Sequence, residues 1–515
     1  MKNRKNHIPF ELERPPLEGL PNPTHIWIEP TTRCNTRCIH CRHYYETFGQ
    51  DMPSSLYNKI SEQAMDRAEI VDLIGYGEPL MAPSFESILE DCSRRGIDVT
   101  TTTNGILLKK PELRERIVRA GIRLSLSLDG ARAETFEFVR PYISWKDMVS
   151  VLENIRSRAA AHPDSGFRLR IVFVAMKRNI GDLPEMVRLA AKYGAGDVFV
   201  LPLGGEEYLE KVKGESLSDA PDLVSPAFLE ALDLARKLRV NLTIPPSFLE
   251  LILEGPERGM GFRGKATRAS RKIRLAVNYL RKKGLLRLFG KVFQGTGPRT
   301  ITGSAPCLMP WRDAYFSANG DVLPCCVGKP LGNIENRDWD SVWNGPMYQN
   351  LRRTIHGWNP TAMCRYCSYV LGINGGDERR FVRYFSKFQR DVVPLDSGQL
   401  GFEKGFYNLE SNEEGEPSHV WMSGKGVLSM PCHPVARFLR LRIFPHPFAP
   451  NVTPGQARIN GGPPEYFDDT CEEINLPIKK GSSPIRLEIK METEHKAPGD
   501  PRPLGLPICG VEILR

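Results

Sequence analysis

The chain has 515 residues, of which 41% are hydrophobic and 25% charged, the balance of an ordinary folded protein with room for about two or three domains. No run of about 18 apolar residues occurs, which argues against a transmembrane helix, and the polar, proline-containing N-terminus lacks the apolar core of a signal peptide. We therefore expect a cytoplasmic protein with reduced thiols, whose net charge of +9 matters only where it is concentrated.

A polar lead, residues 1–23, precedes a region of alternating strand and helix patterns, residues 24–205. The predicted strands cover 25–29, 70–75, 98–103, 123–128, 168–175 and 197–202, with helices near 54–67, 83–95, 110–120, 146–160 and 182–193. This alternation predicts parallel strands joined by right-handed crossovers. Six such units predict an α/β fold, a partial (β/α)6 TIM-like barrel, with its chemistry on loops at the carboxyl ends of the strands.

Three cysteines, Cys34, Cys38 and Cys41, follow the first predicted strand in the spacing C-x3-C-x2-C. Three thiolates on one loop can hold three corners of a cubane [4Fe-4S] cluster. The fourth iron is then open to a small molecule with an amine and a carboxylate. A zinc site completed by His40 or His43 is the main alternative, and purely structural thiols are a lesser one.

Glycines and polar residues follow the next three predicted strands. They are Gly75, Tyr76, Gly77, Glu78 and Pro79 after the second strand, Asn104 after the third, and Ser127 and Asp129 at the end of the fourth. Each motif alone is usually only a turn. Their occurrence at successive strand ends, beginning with the cysteines, indicates one ligand site at this edge of the sheet.

On these motifs, residues 24–205 resemble the core of radical SAM enzymes. The resemblance implies that Cys34, Cys38 and Cys41 bind a [4Fe-4S] cluster whose open iron holds S-adenosyl-L-methionine (SAM). Reductive cleavage of SAM would then give a 5′-deoxyadenosyl radical that abstracts hydrogen from a substrate C–H bond. The resemblance also implies an electron donor such as flavodoxin or ferredoxin.

The same resemblance implies a set of SAM contacts. The segment 75–79 would hold the methionine amino group, Ser127 and Asp129 would contact SAM, and Asn104 is a weaker match. Arg140 either points toward the SAM carboxylate or is a solvated charge at a helix end. His40 replaces an aromatic residue common in the family, and Tyr76 replaces a small one.

Residues 206–305 form a predicted helical, basic bridge, with a helix over 226–240 and a short strand over 241–245. Thirteen lysines and arginines occur from Arg258 to Arg299 without an aspartate or glutamate. Three interpretations of this stretch are open. It forms a solvated helical face, it binds an anionic substrate, or it lies as an interfacial helix on an anionic membrane surface. The last alternative would make the protein peripheral to the inner membrane face. No nucleic-acid-binding module accompanies the charge, so no specific nucleic acid is expected.

A second thiol set lies in residues 306–370. It consists of Cys307, Cys325, Cys364 and Cys367. A β-hairpin is predicted over 315–322 around Asn319-Gly320, followed by a helical stretch over 341–352. Four thiols in this arrangement fit a zinc ribbon as well as an iron–sulfur cluster.

The spacing Cys-x12-Gly-x4-Cys and the Val-Trp-Asn helix resemble the SPASM or twitch module of radical SAM enzymes. The resemblance implies one auxiliary [4Fe-4S] cluster bound by those four cysteines, with Cys326 as a spare.

Residues 371–400 read as a linker and 401–515 as an accessory β domain. Alternating apolar residues over 439–443, 485–490 and 511–513 predict a small antiparallel sandwich. Its role, whether in binding glycan or peptide or in assembly, is open.

The sequence thus predicts a radical SAM enzyme of oxidoreductase type. The expected reaction is oxidation or epimerisation of a small polar or sugar-like molecule, including phosphate- or lipid-linked ones. A peptide-modifying maturase of the same superfamily is one alternative, and a non-enzymatic, zinc-stabilised binding protein is another. No residue is identified as a catalytic acid or hydrogen donor.

Overall fold

The structure is a computed structural model that describes residues 17–245 with gaps at 47, 205–208 and 219, then residue 248, residues 307–355 with a gap at 326–327, and residue 364. Between 390 and 514 it describes nine strands with parts of their connections. The basic stretch 258–299, Cys326, Cys367 and most of the 371–400 linker lie outside the described residues.

The first sheet has ten strands within the described residues, in the order β10-β9-β8-β1-β2-β3-β4-β5-β6-β7. The strands are β1 (His25–Ile28), β2 (Ile70–Leu73), β3 (Asp98–Thr103), β4 (Arg123–Ser127), β5 (Arg168–Ala175), β6 (Asp197–Pro202), β7 (Asn241–Thr243), β8 (Asp313–Phe316), β9 (Asp321–Leu323) and β10 (Gly332–Asn333). Strands β1 to β7 are parallel throughout. The predicted α/β class and partial barrel are confirmed, with β7 as a further parallel strand.

Helices cross between successive parallel strands. They are α1 (Ser54–Ala64), α2 (Phe85–Arg95), α3 (Pro111–Arg119), α4 (Ala133–Val139), α5 (Trp145–Ala161), α6 (Leu183–Tyr193) and α7 (Pro221–Leu238). Helices α2 and α6 end at Gly96 and Gly194, whose φ angles of 69° and 76° fit the left-handed cap that glycine adopts without steric cost. Ile26, Ile28, Val71 and Leu73 are fully buried in the core. No helix among the described residues is long and apolar enough to cross a membrane.

The region that carries the second thiol set, residues 306–370 and here called the second thiol module, contributes β8, β9 and β10 to the same sheet as the barrel strands. Strand β8 pairs in parallel with β1, Ile26 opposite Ala314 and Ile28 opposite Phe316, and the β8–β9 hairpin turns at Asn319-Gly320 as predicted. Gly320 has a φ of 85°, as such a turn requires. The predicted helix over 341–352 is two helices, α9 (Trp339–Trp343) and α10 (Pro346–Thr354), because Pro346 begins a new helix after the Asn344 cap.

A buried arginine holds this module together. The Arg352 guanidinium carbon lies 4.6 Å from the Trp343 ring centroid and 5.0 Å from that of Tyr348. Its Nε donates to the Pro310 carbonyl at 2.9 Å, in the short helix α8 (Met309–Arg312), and its Nη1 donates to the Leu17 carbonyl at 3.1 Å. Burial lowers the pKa of Arg352 to about 10. Arg352 therefore ties α10 to α8 and to the N-terminal lead.

The C-terminal part forms a second, antiparallel, nearly closed sheet, which confirms the predicted β-rich domain. Its strands are β11 (Arg390–Val393), β12 (Gly401–Ser411), β13 (Pro417–Met430), β14 (Phe438–Ile443), β15 (Pro454–Ile459), β16 (Glu465–Asp468), β17 (Glu473–Pro477), β18 (Ile485–Met491) and β19 (Pro507–Leu514). The alternating residues Ile485, Leu487 and Ile489 are buried, as the sequence pattern predicts.

Replacing Arg352 with methionine is expected to destabilise the second thiol module by about 2–4 kcal/mol, because a buried and a half-buried carbonyl group lose their donor. Urea unfolding followed by tryptophan fluorescence measures this, since Trp339 and Trp343 pack in the same cluster. Arg353→Met is the matched control on the same helix and should cost less than about 1 kcal/mol, because its ion pair with Glu492 is partly exposed. Equal losses in the two variants would contradict the role given to Arg352.

Candidate active site

The loops that follow β1, β2, β3 and β4 meet at the carboxyl edge of the parallel sheet. The cysteine loop, residues 30–45, is tied to its neighbours by backbone hydrogen bonds. Ile39 donates to the Val139 carbonyl at 3.1 Å, and Glu78 donates to the Arg33 carbonyl at 2.8 Å. The structure thereby places the three cysteines beside the 75–79 segment, the end of β3 and the end of α4.

Two of the three cysteine sulfurs face side-chain donors. Arg140 Nη1 lies 3.4 Å from Cys38 Sγ. The Thr36 hydroxyl oxygen, whose proton is donated to the Pro141 carbonyl, lies 3.7 Å from the same sulfur. Asn104 Nδ2 lies 3.8 Å from Cys34 Sγ and also donates to the Asn35 side chain at 2.8 Å. Donors aimed at sulfur favour the thiolate form, which is the form that binds iron.

Burial opposes ionisation of these thiols when no metal is bound. It raises the pKa of Cys34 to about 11, with smaller upward contributions from Glu78, Cys38 and Cys41. It also raises the pKa of Cys38, against the opposing effect of the Arg140 charge. Metal binding at this loop therefore releases protons, and the donor set fits an anionic, sulfur-ligated cluster.

The described residues contain no group of three or more His, Cys, Asp or Glu side chains arranged to hold a single metal ion. His40 and His43 therefore do not complete a zinc site with the cysteine loop in this structure. The corners of a cubane cluster lie farther apart than the ligands of one ion, so this finding is compatible with a cluster.

Close packing explains both glycines of the 75–79 segment, against backbone at Gly77 and against the Glu29 side chain at Gly75. A Cβ on Gly77 would lie 2.7 Å from the Arg33 carbonyl oxygen and 2.8 Å from the Thr32 carbonyl carbon, both backbone atoms of the cysteine loop. A Cβ on Gly75 would lie 2.5 Å from the carboxylate oxygen Oε1 of Glu29. Only glycine lets the segment pack this tightly.

Glu78 is buried and its carboxylate is bound within the protein. The Glu78 carboxylate accepts hydrogen bonds from the Thr103 hydroxyl at 2.6 Å and from the backbone amides of Asn104 at 2.8 Å and Leu80 at 3.3 Å. Burial raises the pKa of Glu78, and these donors oppose the rise. The side chain thus fixes the 75–79 segment to the end of β3. Pro79 begins the short 3-10 helix Pro79–Met81.

The Tyr76 side chain points outward and is 53% exposed. Its ring stacks on Phe48, with centroids 6.0 Å apart, and the Arg42 guanidinium lies 5.6 Å from its centroid. Only the backbone of Tyr76 faces the interior, where its amide donates to Glu29 at 2.7 Å.

Asp129 and Arg140 form a buried ion pair beneath Cys38. Arg140 Nε lies 2.6 Å from Asp129 Oδ2, and the Val174 amide donates to Asp129 Oδ1 at 2.8 Å. His40 Nε2 lies 3.5 Å from the same carboxylate, and burial lowers the pKa of His40 to about 4. Arg140 is only 6% exposed, so the alternative of a solvated helix-end charge is wrong. Ser127 is buried at the end of β4, two residues before Asp129.

Two contributors escaped the sequence analysis. Glu29 immediately follows β1, and Thr36 lies between the first two cysteines; its hydroxyl donates to the Pro141 carbonyl at 2.9 Å. The position of Glu29, a charged residue at the end of an apolar strand, could have indicated a functional role. Thr36 is a threonine in a loop, and no sequence pattern distinguishes it.

The second thiol set is only partly described. Cys307 and Cys325 are half-buried and Cys364 is buried, while Cys367 lies outside the described residues. Strand β9 runs antiparallel to β8, and its last residue, Leu323, pairs with Tyr315. The chain that continues to Cys325 therefore heads toward the amino end of β8, which is also the edge of the sheet where β1 begins. That edge is opposite the one that carries Cys34, Cys38 and Cys41. Convergence of all four thiols on one cluster stays a prediction.

Comparison with protein families gives two matches. The model of the Radical SAM superfamily matches residues 28–190, and that of SPASM, an iron–sulfur cluster-binding domain, matches residues 307–368. The first match implies a [4Fe-4S] cluster and SAM, and the second implies auxiliary iron–sulfur clusters, as the sequence analysis predicts.

The chain is similar in sequence or structure to proteins with different named activities. The mycofactocin maturase MftC of Mycobacterium ulcerans is 31% identical over 182 residues, which are 34% of this chain and 47% of that protein. The chain thus spans about half the length of that relative. The AdoMet-dependent heme synthase of Methanosarcina barkeri is 25% identical over 359 residues, 67% of this chain and 89% of that protein. Among solved structures, SuiB of Streptococcus suis bound to the precursor peptide SuiA matches with a TM-score of 0.46 and 19% identity, covering 69% of this chain and 72% of that one.

Replacing Gly77 with alanine is expected to destabilise the protein by about 1–3 kcal/mol, because the added methyl group meets backbone that cannot move aside. Thermal unfolding followed by circular dichroism tests this. Gly49→Ala is the matched control, since a Cβ there has nothing within 4 Å. If both variants unfold at the wild-type temperature, the close packing of the 75–79 segment on the cysteine loop is contradicted.

Proposed function

Because the chain carries a radical SAM domain at residues 28–190 and a SPASM iron–sulfur domain at 307–368, we propose that it cleaves SAM reductively and abstracts hydrogen from a substrate C–H bond. One observation carries the proposal. The loop after β1 presents three cysteines in the spacing C-x3-C-x2-C, and buried donors face two of their sulfurs. When bound, the cluster and SAM supply the electron transfer and the radical chemistry.

We propose that some of the polar residues position other groups instead of contacting SAM, as the family resemblance implied. Cys34, Cys38 and Cys41 hold the cluster, while Arg140 and Asn104 donate to two of its ligand sulfurs. The carboxylates of Glu78 and Asp129 already accept hydrogen bonds or an ion pair from protein groups. We therefore assign them to positioning.

The SAM contacts fall, in this proposal, to groups that the protein leaves less engaged. These are the backbone carbonyls of Gly75, Tyr76 and Gly77 for the methionine end, and Ser127 at the end of β4. The Tyr76 amide and the Pro79 carbonyl already hydrogen-bond within the protein and hold the segment in place. A backbone segment locked by Glu78 can present its polar groups without reorganising, which favours tight binding.

The substrate is proposed at the level of chemical class. The leading candidate is a small polar or sugar-like molecule, oxidised or epimerised, which would make the enzyme of oxidoreductase type. A peptide is the second candidate. It is favoured by the maturase relatives and by exposed aromatic side chains on helix α4 and on the loops near the site. These are Tyr45, Tyr76, Phe138 and Tyr142.

The partners remain proposals as well. Reductive cleavage consumes an electron, so a donor such as flavodoxin or ferredoxin is required. The auxiliary site, with Cys307, Cys325, Cys364 and Cys367, would pass an electron to or from the substrate. A cytoplasmic setting and contact of the 258–299 stretch with an anionic membrane are further proposals, on residues outside those described.

Anaerobic reconstitution tests the proposed function. We expect about eight irons per chain, cleavage of SAM, and transfer of deuterium from the true substrate into 5′-deoxyadenosine. Alanine at Cys34, Cys38 and Cys41 together should abolish cleavage, whereas alanine at Cys364 and Cys367 should leave some unproductive cleavage. About two zinc ions with no SAM cleavage would instead establish the zinc-stabilised binding protein.

Replacing Arg140 with glutamine is expected to lower the midpoint potential of the SAM-binding cluster by up to roughly 130 mV. The variant loses a charged donor to Cys38. Such a bond is worth about 1.5–3 kcal/mol in total, and the part of it that is stronger in the more negative reduced state shifts the potential. A redox titration followed by electron paramagnetic resonance measures the shift. Arg178→Gln is the control, since Arg178 packs on Phe138 and pairs with Glu215. An unchanged potential in Arg140→Gln would refute the role given to this donor.

A further inference from the structure

Glu29 connects two loops from distant parts of the chain. It directly follows β1, and it is 4% exposed. Its Oε1 accepts a hydrogen bond from the Tyr76 amide at 2.7 Å, and its Oε2 accepts one from the Ala318 amide at 3.2 Å. Tyr76 belongs to the 75–79 segment, whereas Ala318 lies in the turn of the β8–β9 hairpin. One buried carboxylate therefore holds both loops.

The contact with the 75–79 segment fixes the orientation of a peptide group. Because the Tyr76 N–H points at Glu29, the Gly75 carbonyl of the same planar trans peptide points the opposite way. A side chain on Gly75 would displace this arrangement, since its Cβ would lie 2.8 Å from the Glu29 Cβ. Glu29 thus determines which backbone groups the segment presents to a ligand.

The contact with the hairpin is supported from several directions. The Glu29 amide donates to the Phe316 carbonyl at 2.8 Å, and the Gln50 side chain donates to the Ala318 carbonyl at 3.5 Å. The Tyr315 side chain also hydrogen-bonds Glu29. From this turn, β9 leads directly toward Cys325. The hairpin cannot shift without leaving a buried carboxylate short of donors, which is unfavourable.

We propose that Glu29 is a positioning residue that couples SAM binding at the 75–79 segment to the hairpin of the second thiol module. The inference rests on the proposed function, because it takes SAM as the ligand of that segment. By thermodynamic linkage, SAM that orders the segment also stabilises the hairpin, and a change at the hairpin alters SAM affinity by the same factor.

Hydrogen–deuterium exchange of the reconstituted full-length protein, with and without SAM, tests the coupling. In the wild-type protein, SAM is expected to slow amide exchange in peptides covering 74–78 and also in those covering 316–320. In Glu29→Gln, the hairpin should no longer respond, and SAM should bind roughly tenfold more weakly. Asp91→Asn is the matched control, because Asp91 is another buried carboxylate, bound by Tyr57 and Ser61 on α1, and it contacts neither loop. It should keep both responses.

Each of the following results would overturn the inference. A wild-type hairpin that does not respond to SAM rules out the coupling, and so does a hairpin that responds equally in Glu29→Gln. If Glu29→Gln does not fold, Tyr315→Phe removes a single donor and should reduce the hairpin response; an unchanged response is then decisive against the inference. If SAM protects neither 316–320 nor 74–78 in the wild-type protein, the proposed function itself fails and the coupling fails with it.

Discussion

The site depends on the burial of several anionic groups at one edge of a parallel sheet. Glu29, Glu78 and Asp129 are each at most 4% exposed, and each accepts hydrogen bonds from a different part of the chain. A buried carboxylate without donors would be strongly unfavourable, so the loops after β2 and β3, the β8–β9 turn and strand β5 must come together to supply them. This requirement fixes the frame in which the cysteines lie.

The same requirement explains how a loop of polar residues can be rigid. Arg140 pairs with Asp129 and also faces the Cys38 sulfur, so one cation serves two anionic partners. Asn104 similarly faces Cys34 with its side chain and Glu78 with its backbone. Arg140 and Asn104, the two residues that face the cysteine sulfurs, are therefore held in place by the buried carboxylates of Asp129 and Glu78. A cluster bound here would meet donors that are already in position.

Much of this architecture follows from local patterns in the sequence. Short apolar runs and amphipathic helices predicted the parallel strands, and Asn319-Gly320 predicted the hairpin turn, because these signals are local. The pairing of β8 with β1 was not predictable in this way. His25 and Asp313, which meet at that pairing, are 288 residues apart, and no local signal specifies so distant a neighbour. The ion pair between Arg140 and Asp129 and the role of Glu29 were not predicted for the same reason, since both depend on loops brought together by the sheet.

The central claim is that three thiolates leave one iron open to SAM. Electron–nuclear double resonance on the reduced, reconstituted protein with SAM labelled by nitrogen-15 in its amino group tests this most directly. The account predicts a hyperfine coupling between that nitrogen and the cluster, which requires the amine to be bound to iron. A cluster that shows no such coupling in the presence of bound SAM, or whose fourth iron is ligated by a protein side chain, would contradict it.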